Sequence, residues 1–240
     1  WNEGYYHGSD FFNYGYWLPS TRSFTEASEN LLNKLVEFLP QKTGKILDVG
    51  CGKGATTRHL LQYFSPSDVF GINISEKQLE SCRVNAPGCT FLLMDAVNLS
   101  FDEKQFDTVI CVESAFHFNT REKFLHEAYR VLKPGGRLIL TDILFNRLAS
   151  QISAQLPTQN YVPNLSAYEA LYRRAGFCDV EIIDAREQCW GGFSRMWLQS
   201  ARRDLQKKEI GMLKYLELGA RIRIGHSVVR HYALVSATKA

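Results

Sequence analysis

From Lys45 onward, short apolar runs alternate with stretches whose apolar residues recur at helical spacing. Lys45–Val49, Asp68–Ile74, Cys89–Met94 and Phe106–Val112 read as strands, too short and too continuously apolar for exposed helices. Between them, Ala55–Tyr63 and Glu76–Val84 read as helices. Arg121–Leu132 is a further helix, terminated by the Lys-Pro-Gly-Gly of positions 133–136, because proline lacks the donor and glycine favours the turn. Arg137–Leu144 then predicts a strand, Ser166–Ala175 a helix closed by Gly176, and Val180–Ala185 and His231–Thr238 two last strands. Alternating strands and helices with buried strands predict an α/β fold, a mainly parallel sheet covered on both faces.

Three segments break the alternation: the aromatic, glycine-rich Trp1–Phe24, the connection Asn146–Leu165, and Gln188–Ser227, which is long enough for one or two helices. Long insertions in a compact domain are usually functional. All three are expected over the carboxyl ends of the strands, where open α/β sheets bind ligands. The division is therefore a single domain over 1–240. It has a lid at 1–24, a binding core at 45–145, and substrate caps at 146–165 and 188–227.

Between the first strand and helix runs Asp48-Val-Gly-Cys-Gly-Lys-Gly54. Glycines there permit positive φ and let a ligand approach the backbone closely. A dinucleotide site would read G-x-G-x-x-G and seat a diphosphate. Here the spacing is G-x-G-x-G, and Asp48 two residues upstream would repel a diphosphate and suit a ligand carrying a cation. A tight strand-to-helix turn would also use these glycines.

Further residues follow in order. They include VFGINIS (Val69–Ser75), MDA (Met94–Ala96), FDTVICVES (Phe106–Ser114) and YRVLKPGGRLILTDI (Tyr129–Ile143). With the glycine run, this set resembles the class I S-adenosylmethionine-dependent methyltransferases over about Lys45–Asp142. The resemblance implies a seven-stranded Rossmann-like sheet in the order 3-2-1-4-5-7-6, its last strand antiparallel. It also implies S-adenosyl-L-methionine as cofactor and S-adenosyl-L-homocysteine as product. Asp48, Gly50, Cys51, Gly52 and Gly54 would then form the cofactor loop. Asn73 stands where the family usually places an acid on the ribose; an amide can donate and accept there, without a carboxylate's charge. Ile74 would flank the adenine, Asp95 accept its amino proton, and the Ala96 amide meet a ring nitrogen.

Enzymes that methylate exocyclic amines of nucleic-acid bases usually carry an Asn/Asp-Pro-Pro-aromatic motif after the fourth strand. This chain has Glu-Ser-Ala-Phe-His-Phe at 113–118, so a nucleic-acid substrate is disfavoured. His117 falls where the methyl group should be. An ordinary imidazole, with a pKa of about 6.5, can take a proton near neutrality, so His117 is the candidate general base, or else it shapes the pocket. Glu113 either bonds a backbone group or the cofactor, or orients His117. Asp142 could polarise His117 or a substrate hydroxyl. With only Asp142 well placed among carboxylates, no metal is expected. The N-terminal stretch is similar to the lid of small-molecule methyltransferases, which would set Tyr16 or Trp17 near the methionine end; an aromatic staple holding a terminal helix is the alternative. His7, His226 and His231 read as structural.

The formal charge is +3, too small to imply a nucleic-acid partner. It is unevenly spread: Arg186–Arg230 has ten Lys or Arg against four acids, either a solvated helical surface or a docking face for an acidic or phosphate-bearing partner. The six cysteines form no CxxC pair, and there is no signal peptide or membrane-length apolar run. A cytoplasmic location and no membrane partner are expected. The chain opens on Trp1 rather than Met, so either a trimmed chain or a domain cut from a longer protein is expected. The GINIS strand end (Gly71–Ser75), the ESAFHF stretch (Glu113–Phe118) and the Gly15-Tyr16-Trp17 motif of the lid together most resemble natural-product O-methyltransferases, including those embedded in polyketide or peptide synthases. The substrate would be a small molecule, free or bound to a carrier protein. N-methylation, C-methylation and a non-catalytic binding module are the alternatives. The oligomeric state is not readable.

Overall fold

The computed structural model describes residues 9–153 and 155–240. Tyr5, Tyr6 and His7 of the aromatic stretch, and Ala154, lie outside the described residues. Seven strands form one sheet: β1 (Ile46–Val49), β2 (Val69–Asn73), β3 (Thr90–Leu93), β4 (Phe106–Val112), β5 (Leu132–Phe145), β6 (Phe177–Asp184) and β7 (Val229–Lys239). The order is β3-β2-β1-β4-β5-β7-β6. β1 pairs parallel with β2 and β4, while β7 lies antiparallel between β5 and β6. This is the strand order that the resemblance implies, with the last strand antiparallel.

The strands alternate between two cores. Leu47, Val49, Val109, Cys111, Leu138 and Leu140 face one side, with Phe124, Tyr168 and Tyr172 packed over them. Ile46, Ile110, Ile139 and Ile143 face the other, under Leu31, Leu35 and Phe193. A period of two with both faces covered is why these strands read as continuous apolar runs.

The helices are α1 (Phe24–Val36), α2 (Ala55–Leu60), α3 (Glu76–Asn85), α4 (Arg121–Val131), α5 (Arg147–Ile152), α6 (Leu165–Arg174), α7 (Gly192–Gln206) and α8 (Met212–Val228). α1 precedes the alternation that the strand reading began from. Its start is set by Ser23, whose hydroxyl accepts the Glu26 amide hydrogen, and its Leu31 and Leu35 are fully buried. Burying such a side chain contributes about 1.5–3 kcal/mol. The long 188–227 segment supplies α7 and α8 after a π-helical turn over Glu187–Gly191. α8 has two apolar faces. Leu218 and Ile222 point inward, while Leu213, Leu216 and Ile224 are exposed. Among the described residues no helix is long and apolar enough to cross a membrane.

Candidate active site

The glycine loop joins β1 to α2. Its three glycines all have positive φ, 75° at Gly50, 56° at Gly52 and 84° at Gly54. A Cβ on Gly50 would lie 2.7 Å from the Ser114 hydroxyl, and one on Gly54 would lie 2.9 Å from the Cys82 Cα. The loop is thus closed against β4 and α3 by backbone that no other residue fits. The Gly50 and Cys51 amides both donate to the Ile72 carbonyl, at 3.0 and 3.1 Å. The Cys51 side chain turns away into a small core with Leu79 and Cys82. The neighbouring Cys82 thiol and burial push the Cys51 pKa up, so it is a packing thiol.

Asp48 is buried beneath the loop, and its carboxylate accepts the Thr57 hydroxyl hydrogen at 2.7 Å. Burial, opposed by that bond, pushes its pKa up to about 7. At the end of β2, Asn73 Nδ2 donates to the Gly52 carbonyl and to Gln78 Oε1. Its Oδ1 accepts the Ile74 amide hydrogen. Asn73 therefore braces the glycine loop. Ile74, 77% exposed, and Leu93, 59% exposed, stand at the ends of β2 and β3. Asp95 is exposed and accepts the Val97 amide hydrogen through Oδ1, with Ala96 buried beside it.

The N-terminal stretch lies over this region, but with different residues inward from those expected. Phe11 is buried with Leu32 and Ala55. Phe12 reaches Gly52, where an added Cβ would sit 3.4 Å from its ring. Trp17 instead donates its ring N–H to the Tyr14 carbonyl and its amide N–H to Gln188. It packs on Phe24 and on Gly192, where a Cβ would lie 2.3 Å from the Trp17 Cβ. Tyr16 bonds the Ala27 carbonyl through its amide. Tyr16 and Trp17 thus act as the staple between α1 and α7, and the ring beside the glycine loop is Phe12. The signal for it, an aromatic pair at positions 11 and 12, was overshadowed by the Gly-Tyr-Trp motif.

Glu113 follows β4 with φ 47°. Its carboxylate accepts the Tyr14 amide hydrogen at 2.6 Å and the Tyr232 hydroxyl at 2.5 Å. Burial raises its pKa to about 8; the two hydrogen bonds oppose the shift and the Asp142 charge reinforces it. Glu113 therefore ties the lid to β7 and takes the backbone-bonding role, not the orientation of His117.

His117 ends a 3-10 turn, Ala115–His117, and is exposed. Its Nδ1 lies 3.1 Å from the Gln155 carbonyl. A carbonyl only accepts, so Nδ1 carries a proton, and in the neutral ring the free lone pair is then on Nε2. Asp142 does not reach this ring as expected. It is fully buried and bonds the Arg121 guanidinium at 2.6 and 3.2 Å, the Tyr168 hydroxyl at 2.6 Å and the Ile143 amide at 2.8 Å. Burial disfavours the Arg121 charge, but Asp142, with Tyr168 and Tyr172, raises its pKa overall. Arg121 and Asn160, also buried, were not singled out in the sequence; arginine at the start of a helix reads there as surface.

A family model described as a methyltransferase domain matches residues 47–140. The chain is 30% identical to the erythromycin 3''-O-methyltransferase of Saccharopolyspora erythraea, over 87% of this chain and 75% of that protein. It is 34% identical to the methyltransferase GfsG of Streptomyces halstedii, over 75% of this chain and 70% of that one. The fold also matches the crystal structure of the [4+2]-cyclase SpnF, with a TM-score of 0.73 and 20% identity over 98% of this chain and 90% of that one.

Proposed function

The chain belongs to the class I S-adenosylmethionine-dependent methyltransferases, and we propose that it methylates a hydroxyl group of a small natural-product molecule with His117 as general base. S-adenosylmethionine supplies an electrophilic sulfonium methyl for in-line displacement. The residues present fit it. The three left-handed glycines leave a bare backbone surface, Ile74 and Leu93 offer apolar area to an adenine, and Asp95 offers an acceptor to its amino group. Asp48 is a buried acid and Glu113 a half-buried one, and a nearby cation would bring their raised pKa values down.

The observation that carries the hydroxyl reading is the His117 geometry. The Nδ1–H bond to Gln155 leaves a basic Nε2. A neutral hydroxyl is a poor nucleophile until its proton is removed, so a base in reach matters for O-methylation. A neutral amine is already nucleophilic and needs it little. The erythromycin relative is named an O-methyltransferase, which supports the same choice. Phe12 and Tyr14 would close the lid over the bound cofactor, and Glu113 would latch it through the Tyr14 amide.

The substrate we favour is a polyketide or peptide intermediate, delivered by a carrier protein. Its support is the exposed basic group Arg202, Arg203, Lys207 and Lys208 at the end of α7. Neutralising these four should slow a carrier-bound hydroxyacyl substrate more than the same group as a free thioester; equal effects would remove the carrier. For the reaction itself, His117→Ala should lower kcat on a hydroxyl acceptor by roughly 10²–10⁴-fold. A loss below tenfold would leave His117 a pocket role and favour an amine acceptor.

A further inference from the structure

Hydrogen bonds from the connection between β5 and α6 converge on both sides of His117. Asn160 is buried and spends both of its side-chain N–H donors on backbone carbonyls, Phe116 at 3.1 Å and Phe118 at 2.8 Å. These are the residues immediately before and after His117. Its Oδ1 accepts the Arg121 amide hydrogen at 2.8 Å, and its own backbone carbonyl accepts from the Arg121 guanidinium. Arg121 is anchored in turn to Asp142 on β5. Five residues earlier in the same connection, the Gln155 carbonyl takes the His117 Nδ1 hydrogen.

A link between a strand and a helix has carbonyls that neither element satisfies, and buried ones need partners. Any of several side chains could supply one. Here a single amide supplies two that bracket the histidine, with three of its four hydrogen-bonding sites used. The result is a rigid path from the sheet, Asp142 to Arg121 to Asn160, to the backbone that aims the imidazole.

We propose that Asn160 is a positioning residue for methyl transfer: it fixes the His117 backbone so that Gln155 holds the ring as the Nδ1–H tautomer with Nε2 toward the acceptor. This rests on the reading of His117 as the base. It also gives Asp142 a part in the site at one remove, through Arg121.

The discriminating variant is Asn160→Asp, which keeps Oδ1 for the Arg121 amide and loses both donors to the carbonyls. Two readouts are used. The first is the His117 ring tautomer, from nitrogen-15 shifts of the labelled protein with S-adenosylhomocysteine added. The second is kcat and KM for a 3-hydroxyacyl thioester of N-acetylcysteamine, compared with His117→Ala. The expected result is a mixed tautomer population in Asn160→Asp and a kcat reduced about 10–100-fold, with cofactor affinity little changed. An unchanged tautomer in Asn160→Asp overturns the proposal, whatever the rates. If His117→Ala loses the rate and Asn160→Asp does not, the positioning role falls and the base reading stands. If His117→Ala costs little, the base reading falls, and the tautomer alone decides whether Asn160 sets the ring. Should Asn160→Asp fail to fold, Asn160→Ser keeps one donor and one acceptor; wild-type kcat and tautomer in that variant would overturn the proposal.

Discussion

Replacing Arg121 by methionine removes one partner of a buried ion pair and leaves the other in place. The Asp142 carboxylate is fully buried, and the Arg121 side chain is 6% exposed. In the variant, Asp142 would keep the Tyr168 hydroxyl and the Ile143 amide as donors but lose its countercharge. The carbonyls of Ile143 and Asn160 would also lose the guanidinium. Breaking a buried pair in this way costs about 3–5 kcal/mol, against a total stability of about 5–15 kcal/mol. With a urea slope of about 3 kcal/mol per molar, the unfolding midpoint should fall by about 1–2 M. Asp142→Asn should cost a similar amount, because it strands the guanidinium instead. The double variant Arg121→Met, Asp142→Asn removes both charges, so it should be less damaging than the sum of the singles. Urea unfolding followed by tryptophan fluorescence, run on all four proteins, measures this cycle. Single losses below about 1 kcal/mol, or a strictly additive double variant, would refute the pair as the anchor of this region.

Glu113→Gln tests the raised acid: between about pH 4.5 and 8 the folded wild type holds a proton that the unfolded chain releases, so its stability relative to the variant should fall as pH rises through that window. A difference that grows with pH would have the wrong sign. Gly54→Ala should abolish or severely weaken cofactor binding in calorimetry, because its Cβ meets the Cys82 backbone at 2.9 Å. Gly135→Ala, also at positive φ but with nothing within 4 Å, should cost only about 1–2 kcal/mol of conformational strain and leave binding intact. Phe12→Ala should weaken cofactor binding, whereas Trp17→Ala should lower the melting temperature and spare it. The reverse pattern would restore Trp17 to the cofactor side.

What was legible in the sequence was what local chemistry dictates. The β-strands of the core declared themselves because both faces of the sheet are covered, so Leu47 and Ile46, or Val109 and Ile110, are apolar whichever way they point. The glycine loop was legible because three alternating positions take positive φ, and at Gly50 and Gly54 a Cβ would also clash with Ser114 and Cys82. The sheet order came with the motif set rather than from periodicity. α8 was only partly readable: Leu213, Leu216 and Ile224 are apolar opposite Leu218 and Ile222, which cancels the amphipathic period that marks a helix face. β6 starts at Phe177, earlier than Val180, because alternation through Cys178 and Asp179 is broken where its pairing with β7 shifts register. The contacts around His117 were not legible at all. Asn160 lies more than forty positions from the carbonyls it bonds, and no local pattern marks such a pairing. Asp142 lies inside β5, which runs on to Phe145, and its partners are Arg121 and Tyr168, which arrive from two helices distant in sequence.

The central claim, methyl transfer to a hydroxyl, is tested most directly by matched acceptors with methyl-carbon-13 S-adenosylmethionine. Each pair would differ only in carrying a hydroxyl or an amine, and the labelled product would be assigned by NMR. The account predicts a labelled methyl ether or ester at oxygen, formed by the wild type and lost in His117→Ala. A label found only on nitrogen or carbon, at a rate that His117→Ala leaves unchanged, would contradict it.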